Sequence, residues 1–257
     1  MTAQRATNVK WNGNHIFKTD GLADHPEYGC LVATVIAGWA MTETQLGQAF
    51  ATMIGTKQPV TLSMYSAVKS FEVQQELLRT AACEVLPKRY AMLFHAGLMA
   101  LNQASHERHR FAHWVWGRSA DPDLHALFLV EPKHFWQLEA ARRKYFTDKR
   151  RKVTIERSGS VEFHFNQPRI EREHIFVYRL KDLQDAGDRI ERAFRIAASL
   201  RGFVGADIPR RRAIYRTLCS WPDIQSALKK VKKNWPNRRP TRAEPRRRAP
   251  PKKPKAG

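Results

Sequence analysis

The sequence predicts a mainly α protein: an up-and-down helical bundle with a small antiparallel β insertion before its last long helix. Three observations carry that prediction. Between residues 25 and 117, apolar residues recur at three-and-four spacing, the period of helices buried along one side. Between about 124 and 178, short apolar segments are punctuated by turn sequences, the pattern of brief paired strands. A further amphipathic stretch at 181–201 precedes a terminus of Pro, Arg and Lys with almost nothing to bury, which predicts disorder.

In chain order, residues 1–24 are polar and read as a loosely held arm pinned by Trp11, Ile16 and Phe17. Asp24-His25-Pro26-Glu27 opens a helix, with an acid at the N-cap and proline in the first turn. That helix runs to Ile54 and stops at Gly55. Its stripe is Val32, Val35, Ile36, Trp39, Leu46, Phe50, Met53 and Ile54, and Glu43 falls on the same face. An inward carboxylate needs a partner or a raised pKa. A second helical stretch, 61–86, sets Met64, Val68, Phe71, Leu78 and Val85 on one side and breaks near Ser70. Pro87 opens a third, striped by Tyr90, Phe94, Gly97 and Leu101. Seven residues beyond Leu101 stands Arg108, so Glu43 and Arg108 are expected to pair across two facing core stripes.

The chemistry changes after Gly117. Asp121-Pro122-Asp123 is a turn, Leu124 to Val130 a short buried strand, and Pro132 to Tyr145 a helix. Val153–Glu156 and Val161–Phe165 flank Arg157-Ser158-Gly159-Ser160, a hairpin signal. A strand at Ile175–Tyr178 leads into the helix at 181–201, ended by Gly202. Two short basic helical pieces follow at 208–219 and 222–234. The chain thus divides into an arm (1–24), a helical domain (25–207) with its β insertion at about 124–178, the basic pieces (208–234) and a basic tail (235–257).

The net charge of +21 is concentrated at one end: residues 210–257 hold 17 Lys and Arg against 2 Asp and Glu. Such a terminus implies affinity for polyanions or simple solubility, and both readings stand. Arg210, Arg211, Arg212, Arg246, Arg247 and Arg248 are its candidate nucleic-acid contacts, as is Arg110 in the body. Cys30, Cys83 and Cys219 share no metal-ligand spacing and read as reduced, buried small hydrophobes. The first ten residues lack an apolar core, and the most apolar run, Cys30–Met41, is far shorter than the ~20 residues of a membrane helix. A cytoplasmic protein with no membrane partner is expected. Phosphate-cradling glycine loops, Gly-x-Ser-x-Gly elbows and paired-cysteine metal sites are absent from the sequence.

The densest polar stretch is Ser105-His106-Glu107-Arg108-His109-Arg110-Phe111-Ala112-His113, at the end of the third helix. A histidine titrates near neutrality and can move a proton, while an always-charged, bidentate arginine suits a phosphate. The alternatives are a solvated helix end, a structural Arg108 ion pair, or a metal held by His106, His109 and His113 on one face.

Arg108-His109-Arg110-Phe111-Ala112-His113 resembles the signature of the HEPN family, an arginine, a polar residue and then a histidine a few positions on. The resemblance spans roughly residues 25–117 and the helix at 181–201. It implies a bacterial-type helical bundle that dimerises and acts as a metal- and cofactor-free ribonuclease on RNA. Carried over by position, Arg108 and His113 are the catalytic pair, His109 assists, and Glu43 orients the arginine. Where many relatives have glycine after the histidine, this chain has Trp114. Positions five apart on a straight helix point ~140° apart, so either the helix distorts or a second subunit completes the site, and a homodimer is expected. The competing expectation is a non-catalytic HEPN-like module that dimerises or binds nucleic acid or a partner protein.

Overall fold

The computed structural model describes residues 4–9, 15–17, 22, 25–55, 58–119, 125–147, 154–155, 161–162 and 168–235. The chain is mainly helical with a small antiparallel sheet. The helices are α1 Pro26–Ile54, α2 Gln58–Ala67, α3 Phe71–Val85, α4 Lys88–His113, α5 Pro132–Thr147, α6 Leu180–Gly205, α7 Ile208–Ser220 and α8 Pro222–Asn234. The strands are β1 Gln4–Arg5, β2 His15–Phe17, β3 Val115–Ser119, β4 Leu127–Val130, β5 Thr154–Ile155, β6 Val161–Glu162 and β7 Ile175–Tyr178. The expected N-cap Asp24, Trp11, the turns at 121–123 and 157–160, and the tail with Arg246, Arg247 and Arg248 lie outside the described residues.

Helix α1 has the expected length and ends at Gly55, whose left-handed φ of 70° suits a residue without a Cβ. Its N-cap is His25. Val32, Val35, Trp39, Leu46 and Met53 are buried, whereas Ile54, at the frayed end of the stripe, is exposed. Helix α6 lies along α1, and the close approach occurs at Gly38: a Cβ there would stand 2.5 Å from Ile190 Cγ2. Gly97 does the same for α4, where a Cβ would meet Leu200 at 2.8 Å. Gly38→Ala is therefore expected to overpack the α1–α6 contact and lose about 1–3 kcal/mol, read as a lower urea midpoint. An unchanged midpoint would mean that Ile190 moves aside freely.

The second stretch is two helices, α2 and α3. Ser70 caps α3 by accepting from the Val73 N–H at 3.4 Å. The break resets the helical phase, so the stripe drawn across it fails at both ends. Met64 and Val85 face solvent, while Tyr65, Leu78, Ala81 and Ala82 enter the core. Gly202 does not stop α6, which continues to Gly205 before Asp207 caps α7 by accepting from the Arg210 N–H. The basic pieces α7 and α8 are packed into the bundle: Leu218 and Ile224 are fully buried, and α8 lies against α4.

The sheet has the order β1-β7-β4-β3-β2, with antiparallel pairing throughout. It is not an insertion alone. The N-terminal segment, expected as a loose arm, supplies both edge strands, and the tryptophan-rich segment after α4 supplies β3. Backbone donors in an arm of this length find ladder partners more readily than its few apolar side chains reveal. β5 and β6 form a separate antiparallel pair.

The two faces of the sheet bury different cores. Leu127, Leu129 and Tyr178 join the bundle, while Phe128, Val130, Ile175 and Val177 pack with Ala6, Ile170 and Leu138 of α5. That two-sided burial explains why β4 reads as a continuous apolar run instead of alternating. Among the described residues, no helix is long and apolar enough to cross a membrane. Cys30 and Cys83 are exposed and Cys219 is half-buried, all as free thiols. The expectation that they are buried was wrong, because Cys30 and Cys83 fall on the outer faces of α1 and α3.

Candidate functional site

The last two turns of α4 stand where the bundle meets the sheet. The helix ends because Trp114 turns extended, at φ −89° and ψ 157°, and its N–H bonds back to the Arg110 carbonyl. Trp114 then packs on Phe176 and Trp116 on Phe111. Both tryptophans lie against the core. The helix end is thereby anchored, and its polar side chains are carried on a rigid element.

The expected Glu43–Arg108 ion pair does not form. Glu43 Oε1 instead accepts from Trp39 Nε1 at 2.8 Å, one turn earlier in its own helix. That local bond settles the inward carboxylate without a cross-helix cation. Glu43 also lies near the Tyr65 hydroxyl, whose pKa is raised by burial first and by this carboxylate second.

The charge pair at this end of α4 is one residue earlier. Glu107 Oε2 accepts from Arg189 Nε of α6 at 2.7 Å, with side-chain exposures of 11% and 22%. The reason is a change of neighbour. Leu101 belongs to the face shared with the helical core, but further on α4 meets α6 and β7. The buried positions become Ala104, Glu107 and Phe111. A heptad step from Leu101 misses that rotation, whereas three-and-four steps from Ala104 reach Glu107 and then Phe111.

Arg108 is half-buried, and its Nε is enclosed with no hydrogen-bond partner among the described residues. His109 and His113 are exposed and stand with ring centroids 4.8 Å apart, tilted by 52°. Partial desolvation, then the neighbouring His109 and Arg108, push His113 below the ordinary histidine value. Arg108, His109 and His113 share the last turns of α4, with the two imidazoles in ring contact, while Glu43 is held elsewhere by Trp39.

Glu72 is a residue that the sequence reading missed. It sits in the first turn of α3, accepts from the Ser70 hydroxyl at 2.6 Å, and faces the charges of His106 and His109. The Ser70 bond first, then its own backbone N–H and last the two histidines, hold its carboxyl below the usual range. The signal was the Ser70-Phe71-Glu72 start of a new helix.

Two of the expected nucleic-acid contacts have structural duties. Arg110 lies over the Phe176 ring at 4.7 Å and the Trp114 ring at 5.4 Å. Arg211 donates to the Phe203, Val204 and Ala206 carbonyls and so caps the end of α6. Arg210 and Arg212 face solvent. Among the described residues, the metal-competent atoms that converge belong to Glu171, Glu173 and His174, not to the α4 histidines.

Comparison with protein families, characterised proteins and solved structures finds no match to this chain.

Proposed function

We propose that this chain is a metal-independent endoribonuclease of HEPN type, acting on RNA as a homodimer. One observation carries the reading: two imidazoles in ring contact share a helix end with an arginine whose enclosed Nε has no partner among the described residues. Cleaving RNA without a metal requires a base for the 2′-OH proton, an acid for the leaving oxygen, and a cation for the phosphorane. His113 fits the base, since a depressed pKa keeps its imidazole neutral at physiological pH. His109 fits the acid. Arg108, unengaged by Glu43, fits the phosphate contact. Glu43 is a positioning residue at most, acting through Trp39 on the packing under α3.

The proposal includes a dimer, because positions five apart on a helix point ~140° apart and a second subunit would complete the site. The second reading is a non-catalytic module that dimerises or binds a partner. Met41, Val73 and Leu77 on α1 and α3, apolar yet exposed, favour it.

The discriminating experiment is cleavage of labelled single-stranded RNA in EDTA as a function of pH. The acid limb should have its midpoint below 6.5, because His113 resists protonation in the folded site. Arg108→Gln removes one of the charges that depress it, so any residual cleavage should show the limb moved upward. A limb at or above 6.5 that ignores Arg108 would exclude His113 as the base. RNA binding without turnover under all conditions would favour the module.

A further inference from the structure

A cleft of about 280 Å³ opens between α4, α6 and α8, on a different face of α4 from the histidines. Its floor is laid by small side chains: Ala100 and Ala104 of α4, Ala193 of α6 and Ala227 of α8. Alanine at each of these contact positions leaves space where larger residues would close the seam. The volume is at the small end of ligand sites, which run roughly 300–1,000 Å³.

The rim is cationic. Arg189, Arg192 and Lys230 line it against one carboxylate, Asp223, with Gln103 and Ser226 as neutral polar groups. The two arginines are held differently. Arg189 is fixed by its Nε bond to the buried Glu107, and its remaining guanidinium nitrogens have no partner among the described residues. Arg192 bonds Asp223 at 3.1 Å, with side chains 60% and 44% exposed. An exposed bridge of that kind contributes little, so Arg192 can turn to an arriving anion. Lys230 lines the cleft from α8.

We infer that this cleft binds a phosphate group, of a free nucleotide or within a strand, with Arg189 as a pre-positioned fork and Arg192 and Lys230 closing on it. Phosphate is the anion that such a fork and two mobile cations match best. The inference does not rest on RNA cleavage at α4, and Lys230, Asp223 and Ser226 lie outside the residues assigned to that chemistry.

The test uses the full chain and two probes that share the phosphate: adenosine 5′-monophosphate, and a single-stranded oligodeoxynucleotide with no 2′-OH to be cleaved. Calorimetry would compare the wild type with Lys230→Glu, Asp223→Asn and Ser226→Trp, all at exposed positions. Lys230→Glu should weaken binding on the order of tenfold, Ser226→Trp should block the cleft, and Asp223→Asn should tighten binding several-fold. The gain from removing an acid is diagnostic, since structural damage cannot mimic it. Effects on the mononucleotide identify a free nucleotide as occupant. Effects on the oligonucleotide alone identify a phosphate within a strand. Affinities for both probes that ignore the three substitutions, or no binding of either, would overturn the inference.

Discussion

Replacing His113 by alanine should lower cleavage of single-stranded RNA in EDTA by about 10²–10⁴, the contribution of a positioned proton-transfer group. His113 is exposed at the last position of α4, so the substitution removes an imidazole without opening a cavity. Arg108→Ala should cost on the order of 10²–10³ by removing the charge proposed to meet the phosphate. Because Arg108 is half-buried, its variant needs a check of helical content and dimerisation, and Arg108→Lys separates charge from fork geometry. Lysine restores the charge but not the bidentate contact, so partial recovery is expected. Cleavage at wild-type rate by folded His113→Ala would sink the assignment.

The largest expected effect on stability lies one residue from this site. Glu107→Leu leaves Arg189 without its counter-ion in a site only 22% exposed, and should cost about 3–5 kcal/mol. For a chain of this size that is a fall in melting temperature on the order of 10 °C. The double substitution Glu107→Leu with Arg189→Met should recover most of the loss, because it removes both charges and keeps the volume. A single substitution that proves neutral, or a double that is no better, would show that the pair is hydrated and carries little. Tyr178 offers an internal check. Burial raises the pKa of its hydroxyl, Arg110 and Arg189 oppose that rise and Glu107 adds to it, so removing Glu107 should lower it.

These two residues also show where the sequence was legible. Glu107 and Arg108 are adjacent, and a heptad step from Leu101 selects Arg108 as the inward one. The choice turned on which elements meet the end of α4. Only the contact with Arg189 and the Phe111–Tyr178 ring pair reveal that α6 and β7 do so. Glu43 is a similar case. Its inward placement was readable from the α1 stripe, but Trp39, four residues earlier, offered a local donor that made a distant cation unnecessary.

Elements with strong local signals were determined by the sequence alone. Helix α1 between its proline start and Gly55, strand β7 at Ile175–Tyr178, and the helices flanking Trp221 stand at or within a residue or two of their expected bounds. The dense histidine–arginine stretch was likewise legible as the end of a helix, that of α4. Tertiary structure alone decided what depends on partners distant in the chain: the recruitment of residues 4–5 and 15–17 as sheet edges, the Glu107–Arg189 pair, the approach of Glu72 to the histidines, and the cleft under α8. Periodicity reports which side of a helix is buried. It does not report against what, because that is fixed by the packing of elements whose order in space is not their order in sequence.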